Sequence, residues 1–323
     1  MTYPRSFKSW LGPSLLVLPL LAAAPPSDSP AHFASADAAI NTLVAAVRVG
    51  DVTQLRSLFG QAGLRDVSAG DPVADKAQRE TFLAAFDARH AIDVKGDTAT
   101  LSIGADDWTF PIPLKHASQG WTFDMAAGRE EILDRRIGAN ELYTQQVMLA
   151  YVDAQNEYMQ TLHDGHKLHV YAAQLLSSSG KQDGLYWATE AGQPPSPLGP
   201  LIAEARAAGY HPGENAQPQP FHGYYFEILR GQGPHAPGGA YDYMVNGQML
   251  GGFGLVAWPA RWGNTGVMTF VINQDGEIYQ KDLGTTTPTI AKGITRFDPD
   301  STWQKVGAPA PIPGETDGDN SGD

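Results

Sequence analysis

The chain has 323 residues, 42% of them hydrophobic, no cysteine and a formal net charge of −13. That length allows two domains with substantial cores, while the missing cysteines exclude both a disulfide framework and a lipid-modified cysteine. A chain this acidic is not built for nucleic acid, whose phosphates demand a basic patch, nor for anionic lipid headgroups.

The first residues read as an export signal. Arg5 and Lys8 give a positive start, residues 11–21 form an apolar run interrupted by Pro13 and Pro19, and Ala22-Ala23-Ala24 supplies small residues for cleavage. The run is shorter than the roughly 20 apolar residues that span a bilayer. A cleaved signal over 1–24 is therefore expected in preference to an uncleaved anchor, with no stable membrane insertion afterwards. Loss of Arg5 and Lys8 takes the net charge from −13 to −15. A periplasmic or secreted location fits best.

From Ser35 the pattern is helical. Ala36, Ile40, Leu43, Val44 and Val47 share one face, and Gly50-Asp51 closes this helix and caps the next, expected over 52–59. Asp71-Pro72 reads as a turn, and 78–90 as a third helix with Phe82, Leu83 and Phe86 inward. Strands are expected over 91–95, 98–103, 108–114 and 120–124, with turns at Lys95-Gly96-Asp97 and Ala105-Asp106-Asp107.

The strongest helical signal runs over 128–162 and is expected to break near Gly138. In its second part Tyr143, Val147, Tyr151, Ala154, Tyr158 and Leu162 step along one face. Residues 163–220 read as largely irregular, with a short helix over 198–208. A sheet follows over 222–283, where 222–284 holds ten aromatics and thirteen glycines among eight charged residues. The tail over 307–323, rich in Pro, Gly and Asp, reads as disordered. The fold class is α+β, with units expected over 33–127 and 128–306.

Candidate chemistry is sparse. Glu131 and Arg135, four apart, form a solvated helix face or part of an acid–base set, and Arg135 and Arg136 are also placed to reach an interdomain junction. An enzyme with a site between the two units would draw on Glu131, Arg135, Arg136, His222 and Asp242. His163, Asp164, His166 and His169 have near-regular spacing for a metal, but Gly165 among them argues for turn residues.

Ser178-Ser179-Gly180-Lys181 matches a serine-x-x-lysine pattern, yet no Lys-Thr-Gly follows. Asn273-Gln274-Asp275-Gly276 is a hairpin turn rather than a cation loop. Tyr224, Tyr225, Tyr241, Tyr243, Trp258 and Trp262 would make a stacking platform for a sugar or peptide, or else fill a core. Strand alternation sends Tyr224 and Phe226 to one face and Tyr225 to the other. No phosphate loop, dinucleotide fingerprint or zinc-protease motif occurs, so no cofactor is expected.

Three resemblances attach to these residues. Helix, Gly-Asp break, helix and strands, in that order, resemble the cystatin-like cone of the nuclear-transport-factor superfamily. SAGDPVAD (68–75), DDWTFPIPL (106–114), GREEILDRRIGANEL (128–142), AYVDAQNEY (150–158), DGLYW (183–187), PPSPLGPL (194–201) and the 222–284 block are similar to a bacterial domain-of-unknown-function family, number 2950, over 33–306.

That resemblance implies export and a shared architecture with no established activity. The family often carries an Asp-Gly-Asp-Gly run where this chain has His163-Asp164-Gly165-His166, a departure that counts against a cation site here.

Ala154 with Tyr158, Thr265-Gly266, Thr269-Phe270 and Asp275-Gly276 resemble the globular part of type IV pilins and pseudopilins, in which a helix crosses a sheet. The membrane-spanning stem and prepilin leader of those proteins have no match here. The expected role is a non-enzymatic envelope binding or assembly factor, its partner an envelope protein, a glycan or a peptide; the alternative is an envelope hydrolase.

Overall fold

The computed structural model describes residues 30–307 apart from 166, 191 and 213–218. The expected leader, and the tail beyond 307, lie outside the described residues. The fold is α+β, built around separate hydrophobic clusters joined by one long helix.

Helix α1 (Ala36–Val49) starts where Ser35 Oγ accepts the Ala38 N–H at 3.1 Å, and ends at Gly50, whose φ of 71° is open to glycine at little cost. Asp51 then caps α2 (Val52–Val67) by accepting the Gln54 N–H at 2.9 Å. The expected helix 52–59 is found, but the chain resumes helical form after Gly60, which is itself non-helical at φ 72°, ψ 170°.

The Asp71-Pro72 turn proves to be a helix start. Pro72 occupies the first turn of α3 (Pro72–Ala88), where its missing N–H costs nothing, and Asp71 Oδ1 accepts from Val73 N and Ala74 N at 3.0 and 3.1 Å.

Strands β1 (His90–Lys95), β2 (Thr98–Ile103), β3 (Trp108–Thr109), β4 (Leu114–Ala117) and β5 (Gly120–Phe123) form an antiparallel sheet in the order β1-β2-β4-β5, with β3 also on β2. The strand expected over 108–114 is split. Pro111 and Pro113 cannot donate to the ladder, so the chain pairs with β2 as two short pieces, Ser102↔Thr109 and Ala99↔Leu114, with a two-residue slip between them. Ala99, Leu101, Ile103, Leu114 and Phe123 face the helices and pack with Ile40, Leu43, Leu58 and Phe59.

Helix α4 (Met125–Met159) opens at Asp124, whose Oδ1 accepts the Ala127 N–H at 3.1 Å. Its 35 residues span about 52 Å. The expected break near Gly138 is absent. Gly138 sits on an exposed face with nothing within 4 Å of its would-be Cβ, so its cost of about 1 kcal/mol relative to alanine is too small to interrupt a helix anchored at both ends.

Met125 and Ile132 pack in the first core, and Val152, Tyr151, Ala154 and Tyr158 in the second. Leu162, expected on the same stripe, lies beyond the helix and is 53% exposed. For all its length, no helix of the described residues is long and apolar enough to cross a membrane.

Helix α5 (Gly199–Ala208) is the short helix expected in the irregular region. The second sheet is antiparallel throughout. It contains β6 (Tyr224–Leu229), β11 (Gly254–Pro259), β12 (Met268–Asn273), β13 (Tyr279–Asp282) and β14 (Gln304–Lys305), ordered β14-β13-β12-β11-β6. Between β6 and β11 lie two ribbons, β7 (Gly231–Gln232) with β8 (Tyr241–Asp242), and β9 (Met244–Val245) with β10 (Gln248–Met249).

Tyr224, Leu255, Ala257, Phe270 and Ile272 face α4, whereas Leu229, Val256, Trp258 and Val271 face α6 (Thr287–Ala291) and Phe297. Covered on both faces, β11 is buried along its whole length and shows no alternation. The expected assignment of Tyr224 and Phe226 to one face and Tyr225 to the other holds. So does the turn after β12, where Gly276 has φ 72° and its N–H donates to Asn273 O at 3.0 Å.

Candidate functional site

A cavity of about 440 Å³ opens between α4, α5 and the β6–β11 edge of the sheet. Val147 comes from α4, Ile202 and Ala205 from α5, Phe226 from β6 and Leu255 from β11, with Phe221 beside them. The cause is the shape of α5. Leu198, Ile202 and Ala205 repeat along one side of a ten-residue helix with too few large side chains to fill the space over the sheet.

Two ties hold α5 in place. Tyr143 of α4 donates to Glu204 Oε1 at 2.9 Å, and Tyr210, one residue past the Gly209 cap, donates to Asp71 Oδ2 at 2.7 Å. Asp71 thus caps α3 and receives the cavity rim at once.

Beside the rim is an aromatic nest. Phe221 and Tyr224 close a tight hairpin turn, N to O at 2.8 and 3.0 Å, whose central residues His222 and Gly223 both have positive φ (45° and 76°). The His222 ring lies 3.9 Å from Tyr143 and 5.6 Å from Tyr210, centroid to centroid. Burial pushes the His222 imidazole below its ordinary range, and Asp71 and Glu204 offset this only in part.

The folded protein therefore holds fewer protons here than the unfolded chain. Stability from this group is complete above the unfolded pKa of about 6.5 and is lost as pH falls towards the lower folded value. Urea midpoints measured from about pH 7.5 down to about pH 5 should fall, and His222→Asn, suited to positive φ, should flatten the slope. An unchanged slope would remove His222 as its source.

The cavity wall offers little reactive chemistry. Among its described lining residues the titratable groups are tyrosines and His211. The Tyr151 hydroxyl donates to Gly254 O at 3.1 Å and receives Gln155 Nε2 at 3.0 Å, and burial pushes it far above the usual phenol range. Burial, followed by the Asp71 carboxylate, likewise raises Tyr210. Such a wall accepts aliphatic or aromatic groups and keeps the Tyr151 and Tyr210 hydroxyls protonated.

The polar residues singled out in the sequence are not gathered. Glu131 and Arg135 form an exposed pair at 2.6 Å, with Arg135 also on Thr109 O and over the Trp108 ring. Asp242 pairs with Arg296 at the β7–β8 ribbon. His222 is in the aromatic nest.

Arg136 does reach a junction. Its guanidinium donates to the carbonyls of Asp66, Val67 and Ser68 and to Asn264 Oδ1 at 2.8–3.3 Å, capping the C-terminal end of α2. Burial pushes its pKa down, Asp75 opposes this, and Arg261 adds to the lowering. Arg261 donates to Ser68 O and Asn264 Oδ1 at 2.9 and 2.7 Å.

Nor do the histidines assemble a metal centre. The His163 ring stacks on Tyr158 at 3.8 Å and sits 2.9 Å from Tyr158 O; His169 is on Met159 O at 2.7 Å; the Asp164 carboxylate accepts the Gln182 N–H. His166 lies outside the described residues, among which no group of three metal-ligating side chains occurs.

The aromatic candidates are divided as well. Tyr224, Tyr243 and Trp258 are buried, the first donating to Met268 O at 3.0 Å and the second to Gln232 Oε1 at 3.1 Å. Tyr225 packs on Trp258 and also lines the cavity, Tyr241 packs on Tyr243, and Trp262 Nε1 donates to Asp282 Oδ1 at 2.8 Å. No single platform results among these residues.

Ile202, Ala205, Tyr210 and Phe221 went unnoticed in the sequence. The one signal available was the apolar side of a short helix inside a proline-rich stretch.

Fold and site together define an α+β protein with a lined apolar cavity beside a polar helix junction. The chain belongs to the family described as "Protein of unknown function (DUF2950)", whose model matches residues 31–306. No curated protein and no solved structure matches it.

Proposed function

We propose that this is an exported, non-enzymatic binding protein of the cell envelope, and that its ligand buries an apolar group in the cavity between α4, α5 and β6. The observation that carries the reading is the cavity itself, about 440 Å³ with a wall of aliphatic and aromatic side chains in which the Tyr151 and Tyr210 hydroxyls are already partnered. Export is supported by the leader pattern around Arg5, Lys8 and Ala22–Ala24 and by the acidity of the rest. The 35-residue α4 against an antiparallel sheet supports a pilin-like arrangement, and three helices on the first sheet support a cystatin-like one.

The test is thermal unfolding of the exported protein with straight-chain fatty acids of increasing length. Tm should climb with chain length and level off once the cavity is filled, because ligand bound to the native state stabilises by mass action and each buried CH₂ adds to affinity. A Tm indifferent to chain length defeats the binding reading. Mass spectrometry of the same preparation should place the N-terminus near Ala24; an intact Met1 defeats the export reading.

A further inference from the structure

β6 is the terminal strand of the second sheet and pairs with β11 on one side only. The register fixes which of its backbone groups face the open side. Pro259 has no N–H, so its pair with Tyr224 is of the non-hydrogen-bonded kind, and the Ala260 N–H reaches Gly223 O at 2.8 Å as that kind requires. Alternation then turns the N–H and C=O groups of Tyr225, Glu227 and Leu229 to β11, and those of Tyr224, Phe226 and Ile228 outward.

Both ends of this open edge are closed. Tyr224 exchanges hydrogen bonds with Phe221 at 2.8 and 3.0 Å. Just past the strand, the Arg230 N–H donates to Thr295 O at 3.1 Å and its C=O accepts the Tyr243 N–H at 2.9 Å. Between them, Phe226 and Ile228 keep their N–H and C=O groups without a partner among the described residues. Such a row is a template for an added strand.

Resting on the apolar-cavity reading above, we propose that this edge receives an extended peptide of apolar–basic–apolar pattern. The peptide adds antiparallel to β6 and places an apolar side chain in the cavity of about 440 Å³.

Residues directly opposite in an antiparallel pair share a face. Phe226 and Ile228 face α4, and Phe226 lines the cavity, so the two peptide residues opposite them point the same way. The residue between lies opposite Glu227 on the other face, where that exposed carboxylate has no ion pair among the described residues. A lysine or arginine is favoured there, the more so on a chain of net charge −13. A fatty acid would fill the cavity yet leave the row of backbone groups unused.

The probe is the capped peptide acetyl-Ser-Leu-Lys-Leu-Ser-amide, titrated into the isotope-labelled full chain and followed by NMR. Saturable shifts should centre on the Phe226 and Ile228 amides. N-methylation of both leucines removes the N–H groups that meet β6 and should weaken binding at least about tenfold. N-methylation of the lysine, whose N–H points away from β6, should leave binding unchanged. Glu227→Lys, at an exposed position, should reverse the preference, so that the peptide with glutamate in place of lysine binds better.

Equal effects of the two methylations, or a charge preference indifferent to Glu227→Lys, would overturn the strand assignment. Absence of peptide binding by a protein whose Tm still rises with dodecanoate would overturn it while sparing the cavity reading. Absence of both would remove the cavity reading beneath it as well.

Discussion

Arg136→Ala is expected to lower stability by about 3 kcal/mol, on the order found when a buried, multiply bonded charge is removed. Arg136 is 7% exposed and is the common donor to three consecutive carbonyls at the end of α2 and to Asn264. Its loss removes the Arg136 donors from the Asp66 and Val67 carbonyls, while Arg261 still serves Ser68 O and Asn264 Oδ1 and Arg129 still pairs with Asp66 at 3.3 Å. Arg136→Lys should recover less than half, because a compact ammonium cannot serve four acceptors spread across a planar fork. Arg135→Ala, next along the helix, should cost below about 1 kcal/mol, as its pair with Glu131 is exposed. Urea unfolding measures all three, and equal losses at 135 and 136 would refute the junction as a structural clamp.

Gly266→Ala is expected to cost at least about 3 kcal/mol, at the upper end of overpacking effects. A Cβ there would stand 1.9 Å from the Tyr224 hydroxyl and 2.5 Å from Cζ. The Tyr224 ring has nowhere to go: it is fully buried, and its hydroxyl donates to Met268 O at 3.0 Å. Glu141 Oε1 accepts the Val267 and Met268 N–H groups at 2.8 and 2.9 Å and fixes the backbone on the other side. Adding Tyr224→Phe should recover part of the loss, a coupling that a double-mutant cycle reads directly. Additive losses would mean that the clash is relieved elsewhere.

Much of the scaffold was legible because local chemistry and tertiary structure agree. Ser35, Gly50 and Asp51 mark two helix boundaries through side-chain caps and one left-handed glycine, and the 224–226 alternation survives in the sheet. The errors have local causes too. Pro111 and Pro113 divide the strand expected over 108–114 because neither can donate to a ladder, Pro72 starts a helix where a turn is expected because it suits a first helical turn, and one exposed glycine, Gly138, is too weak to make the expected break.

The binding site is different in kind. Val147, Ile202, Phe221 and Leu255 are far apart in the chain, and each alone reads as an ordinary core residue. Only packing shows that they leave a space unfilled.

The central claim is that the space beneath α5 receives an apolar ligand. The most direct test is a fluorescence titration of the folded chain with 1-aminoanthracene, alongside an Ala205→Trp variant that fills the cavity from α5. The account predicts one saturable site with blue-shifted emission in the native protein, and its disappearance in the variant at an unchanged urea midpoint. Saturable binding of equal strength in both proteins, or none in either, would contradict it.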